Sequence, residues 1–161
     1  MDKILRYFFI ALMSVFALHM SAQKVVTFDA SVDKGTCTTE NPGEDEVSKE
    51  GVSIAVSNGC MNLAEHYRCY AGADFTITST ESNILKVEIT CTAKGQSKNG
   101  PGGFADPTAG TYEYEANGQG GTWIGNDASF SMSASKQVRI TKVVVNDDDK
   151  ERHQGEDKNG T

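Results

Sequence analysis

The chain has 161 residues, with 15 Lys and Arg against 22 Asp and Glu and a formal net charge of −7 at pH 7. A surface this acidic repels phosphate backbones and anionic headgroups, which argues against nucleic-acid binding and against electrostatic adhesion to a membrane. The length suits one domain with a hydrophobic core of its own.

The N-terminus reads as a secretory signal peptide over residues 1–23. Lys3 and Arg6 precede an apolar run at 7–18, and the small residues Ser21 and Ala22 lead into Gln23 and Lys24. The run falls short of the roughly 20 residues that an α-helix needs to cross a bilayer, and no second run follows, so no membrane span is expected in the mature form. The expected location is secreted, periplasmic or otherwise in the cell envelope. Without residues 1–23 the chain keeps 13 basic and 21 acidic side chains over 138 residues, a charge of −8.

Beyond the signal, apolar and polar residues alternate with period two, and no segment sustains a helical repeat. Strands are expected at 25–29, 52–56, 67–70, 75–78, 84–92, 111–115, 122–124, 129–133 and 137–145. They are rich in Val, Ile, Thr, Tyr and Phe and are separated by turn residues such as Ser57-Asn58-Gly59 and Gly125-Asn126-Asp127. In 84–92, Leu85, Val87, Ile89 and Cys91 share one side while Lys86, Glu88 and Thr90 share the other. Phe130 and Met132 alternate with Ser129, Ser131 and Ser133 in the same way. Such strands, with no helix to cover them, must bury their apolar rows against a second sheet or close into a barrel. The expectation is all-β, a two-sheet antiparallel β-sandwich of jelly-roll type over residues 24–146.

Two connections, 30–51 and 93–110, are too long for hairpins. The first carries the acidic stretch from Glu40 to Glu50, which lacks the periodicity of a buried element; in the second, Phe104 is expected to pin the loop to the body. Residues 147–161 hold no apolar side chain and are expected to form a disordered acidic tail. The triplet Asn159-Gly160-Thr161 in that tail is uninformative as a glycosylation signal.

The four cysteines, Cys37, Cys60, Cys69 and Cys91, all follow the signal, and an even count in an oxidising compartment suggests two disulfides. The preferred pairing is Cys60–Cys69, which are close in sequence, leaving Cys37–Cys91; buried free thiols are the alternative. A zinc site is disfavoured, because no C-x₂₋₄-C pair occurs and His66 is the only histidine in the expected domain.

The order of these strands resembles a module that recurs in secreted and surface proteins of Bacteroidetes, often beside carbohydrate-active or adhesive domains. The matching pieces are Thr27-Phe28-Asp29, Gly51-Val52-Ser53-Ile54, Tyr67-Arg68-Cys69-Tyr70-Ala71-Gly72, Phe75-Thr76-Ile77-Thr78-Ser79, Asn83-Ile84-Leu85-Lys86-Val87-Glu88-Ile89, Gly121-Thr122-Trp123-Ile124-Gly125, Ser129-Phe130-Ser131-Met132 and Gln137-Val138-Arg139-Ile140. The resemblance implies a jelly-roll-like sandwich without established catalytic residues and a binding or adhesion role. The four cysteines depart from that pattern, and no enzymatic domain is expected beside the module.

Little in the chain supports catalysis. His66 is the one imidazole available to activate a nucleophile, no G-x-S-x-G elbow occurs, and the carboxylates Asp74, Glu88, Glu113 and Glu115 form no pair that an acidic β-protein would not offer anyway. No cofactor is expected; Asp29, Asp33, Asp74 and Asp127 are candidate ligands for a structural calcium only. Aromatic residues give the functional expectation, because sugar rings stack on Tyr and Trp while polar neighbours bind their hydroxyls. Tyr112, Tyr114 and Trp123 form one candidate platform, and Tyr67, Arg68 and Tyr70 with Asp74 form a second. The chain therefore reads as a non-catalytic module that binds extracellular carbohydrate, with a protein-interaction or envelope-structural role as the alternative and a small hydrolase behind both.

Overall fold

The computed structural model describes residues 23–38 and 40–148. Residues 1–22, which hold all of the expected signal peptide except Gln23, and the expected tail from Asp149 onward lie outside the described residues.

Eleven strands follow in chain order: β1 (Gln23–Asp29), β2 (Gly43–Lys49), β3 (Val52–Cys60), β4 (Tyr67–Cys69), β5 (Asp74–Ser79), β6 (Ile84–Cys91), β7 (Phe104–Ala105), β8 (Thr111–Tyr114), β9 (Gly120–Asp127), β10 (Ser129–Ala134) and β11 (Val138–Asp148). The protein is all-β, and its antiparallel sheet nearly closes into a barrel. The path of hydrogen-bonded neighbours is β7-β10-β5-β3-β4-β11-β6-β9-β8, with β2 added beside β3 and β1 beside β11. In the path of paired strands two flanks are therefore joined through β4, which pairs with Gly59 and Cys60 on one side and with residues 138–140 on the other.

Alternation places the core. Val26, Val145, Val87, Trp123 and Tyr112 stand side by side across five strands, and Val47, Ile54, Ile77 and Phe130 do so across four strands of the other flank. All but Tyr112 are buried, each contributing about 1.5–3 kcal/mol of hydrophobic stabilisation. The rows meet where the Trp123 indole stacks on Phe130, with ring centroids 3.8 Å apart and planes 2° from parallel. Phe75 stacks on Phe104, and Phe104 meets Tyr112 edge-on. Phe104 is buried and does fasten its loop to the body.

All nine expected strands form, with four corrections. Within the connection 30–51, the acidic stretch supplies β2, joined to β3 by the two-residue turn Glu50-Gly51, whose φ angles of 51° and 76° are those a tight hairpin requires. Its inward positions are Val47 and, unexpectedly, Asp45, whose carboxylate accepts the backbone N–H groups of Thr36 (2.8 Å) and Met61 (2.7 Å). A charged residue thus occupies an inward position that the apolar pattern could not flag. In β6 a register shift between Ile84 and Lys86 turns Ile84 inward and leaves Leu85 only half-buried. Finally, β1 begins at Gln23, assigned to the signal, and β11 runs through Asp147 and Asp148, assigned to the tail; Asp147 is fully buried and accepts from the Ser79 hydroxyl.

The disulfide pairing is also corrected: Cys37 bonds Cys60, and Cys69 and Cys91 are buried free thiols. Register explains the change. Gly59 faces Cys69 and Cys60 faces Arg68, so Cys60 and Cys69 project from opposite sides of the sheet and cannot meet. Cys69 and Cys91 both point inward but lie on either side of β11, about two strand spacings (~10 Å) apart.

Burial pushes both thiols up to about 12, for Cys69 with help from the Asp74 charge, so neither supplies a thiolate at neutral pH. Iodoacetamide is expected to modify no cysteine in the native protein, two after unfolding, and four after unfolding with reduction, as counted by mass spectrometry. Replacing Cys37 and Cys60 together with Ser should lower stability by about 3 kcal/mol in urea titrations, the chain-entropy value for closing a loop with a sequence separation of 23.

Candidate functional site

The aromatic platform expected at Tyr112, Tyr114 and Trp123 does not form. All three lie on the inward face of β8 and β9. Trp123 is fully buried and its indole N–H donates to the Ala109 carbonyl at 2.7 Å, while the half-buried Tyr112 hydroxyl donates to the Pro101 carbonyl at 2.9 Å. Only Tyr114, at the rim, is exposed, and Glu113 and Glu115 take the outward side. The hairpin buries its aromatic row because that row faces the Val87 and Ile89 side of β6.

The second cluster divides. Tyr67 is buried, and its hydroxyl donates to the Asp33 carbonyl at 2.8 Å. Arg68 and Tyr70 stay together: the guanidinium lies 5.9 Å from the Tyr70 ring centroid, and Arg68 Nη1 donates to Tyr70 Oη at 3.4 Å. Asp74 is bound instead by the Ser133 hydroxyl at 3.0 Å. Register sets Arg68 directly opposite Arg139 of β11, and His66 precedes β4 at the same corner. The His66 imidazole is held below its ordinary range by burial first and then by the Arg139 and Arg68 charges, with Lys34 adding to them and Glu65 opposing.

The candidate calcium ligands stay apart. Asp29 accepts from Ser31, Asp33 pairs with Lys49 at 3.3 Å, and among the described residues no three of Asp29, Asp33, Asp74 and Asp127 gather their oxygens. The one close grouping of ligand-type side chains joins Asp45 to Cys37 and Cys60, whose sulfurs are bonded to each other.

Sequence reasoning missed the open concavity. The outward positions of β2, β3, β5 and β10 form two polar rows, Glu46-Ala55-Thr76-Ser131 and Ser48-Ser53-Thr78-Ser129. Hydroxyls pair across strands, Thr76 with Ser131 and Thr78 with Ser129, both at 2.7 Å. A groove of about 600 Å³ runs along this face between Thr36, Glu44, Glu46, Ala55, Ser57 and Thr76, and a second depression of about 200 Å³ continues past Glu46 to Ser48, Ser53 and Thr80. Hydroxyls and carboxylates line it together with small side chains such as Ala55. The only signal in the sequence was the run of Ser and Thr at alternate positions, which reads equally as a solvated face.

Among the described residues no helix is long and apolar enough to cross a membrane. No protein-family model, curated protein or solved structure matches the chain.

Because His66 is kept neutral in the native state and rises toward about 6.5 on unfolding, its contribution to stability is intact above that pH and is lost as pH falls below it. The drop in the urea midpoint between about pH 7.5 and pH 5.5 should therefore be smaller for His66→Gln than for the wild type.

Proposed function

We propose that this protein is a non-catalytic, exported binding module whose ligand is an extracellular carbohydrate lying in the groove across β2, β3 and β5. The observation that carries the reading is the groove itself: an open channel with hydroxyl and carboxylate groups at alternate strand positions. Such groups exchange hydrogen bonds with sugar hydroxyls, and Ala55 offers a small apolar patch to a ring face. The absence of an aromatic platform on the described face points to a weak binder that relies on hydrogen bonds rather than stacking. The signal-like N-terminus, the resemblance to exported jelly-roll modules and the Cys37–Cys60 disulfide support export.

A glycan array followed by calorimetry tests this. Binding should fall about tenfold or more in Glu46→Ala, the loss of one charge-assisted hydrogen bond, while stability changes by less than about 0.5 kcal/mol. An array with no bound glycan, or a bound glycan indifferent to Glu46→Ala and Thr76→Val alike, refutes the reading; recovery of a protein partner without sugar dependence would replace it.

A further inference from the structure

Arg68 and Arg139 face each other on neighbouring strands in a chain that has more carboxylates than cations. Like charges directly opposite on a sheet are destabilising, and a carboxylate at either position would remove the repulsion. Neither arginine has one: among the described residues the ion pairs are Lys24 with Glu81, Lys49 with Asp33, and Lys86 with Glu88. The Nε atoms of both arginines, together with His66 Nε2, are buried and without a hydrogen-bond partner. Buried donors left unpaired are rare enough in folded proteins to call for a reason. Of the other charges that act on His66, Lys34 is occupied with the backbone carbonyls of Ala30, Leu63 and Ala64, and Glu65 is exposed. Tyr70 accepts from Arg68, which leaves its own O–H free to donate.

We propose that Arg68 and Arg139 form an oxyanion-binding site, with Tyr70 as a third donor, that takes the carboxylate, sulfate or phosphate group of a ligand at the corner where β4 joins the two flanks. Two planar guanidiniums match the paired oxygens of such a group, and the arriving charge cancels the repulsion between them. The site is independent of the groove and its proposed carbohydrate, since it can be assayed with inorganic ions.

Sodium sulfate, sodium phosphate and sodium acetate are titrated separately at constant ionic strength set with sodium chloride. The arginine Nε–H and His66 ring resonances are followed by NMR. At least one ion should give saturating shifts of Arg68 and Arg139 and raise the His66 pKa, because it offsets the guanidinium charges; the ion that saturates at the lowest concentration identifies the group. Arg139→Gln should weaken that binding about tenfold or more. In chloride alone it should melt at a higher temperature than the wild type, as expected when a residue kept for binding opposes stability. Arg139→Lys, which keeps the charge and loses the fork, should also bind less tightly and serves if the glutamine variant fails to fold. Shifts that never saturate with any ion, or saturation that both variants retain, overturn the site. An Arg139→Gln protein that melts lower in chloride and titrates like the wild type assigns the pair to structure alone.

Discussion

The three residues of β4 are the constraint on which the rest depends. Each flank of the sheet buries its inward apolar face, and those faces seal a core only if both flanks are held at one spacing; β4 is the hydrogen-bonded link between them. Its approach to β3 is so close that a Cβ on Gly59 would stand 2.0 Å from the Arg68 carbonyl oxygen, so glycine is required there. Because side chains alternate along a strand, the same three residues must send Tyr67 and Cys69 inward and Arg68 outward. Burial of the Tyr67 ring, exclusion of Cys69 from any bridge with Cys60, and the meeting of Arg68 with Arg139 are consequences of one register.

That register also explains what could be read from the chain and what could not. Strands such as β5 and β10 were legible because each buries one row against one core, so Phe75, Ile77, Phe130 and Met132 appear at every second position. β2 was not, since half of its inward surface is Asp45, and a carboxylate held by two backbone amides leaves no trace in hydropathy. The bulge that trades Leu85 for Ile84 was hidden for a related reason: both residues are apolar, so the shift in phase leaves the composition unchanged. Cysteine pairing depends on which face each residue takes and on which strands are neighbours. Sequence distance reports neither, and the pair closest in sequence proved to lie on opposite faces.

The candidate site was less legible than the fold, because one apolar pattern serves both a stacking platform and a core. Tyr112, Tyr114 and Trp123 occupy alternate positions in either case. The deciding fact is that their row continues through Val87, Val145 and Val26, which have nowhere to go but inward. Once the aromatics are spent on the core, the outer surface is left to small hydroxyl residues and charges, and these are not mixed evenly. Glu44 and Glu46 border the groove, while Lys34, His66, Arg68 and Arg139 gather at the β4 corner.

This separation bears on why an opposed arginine pair persists. A cross-strand like-charge contact costs on the order of 0.2–1 kcal/mol, small beside a domain stability of roughly 5–15 kcal/mol, so folding tolerates it. Tolerance does not account for the pairing, because Glu65 lies one residue from His66 and could have relieved it had the chain turned that side chain toward the guanidiniums. The pair instead sits where β4 allows little movement, between a disulfide-bonded cysteine at its β3 partner position and the long strand β11 on the other side. A rigid frame holding two unneutralised guanidiniums is costly as a surface decoration and suited to a ligand group, since the geometry an anion needs is fixed before it arrives.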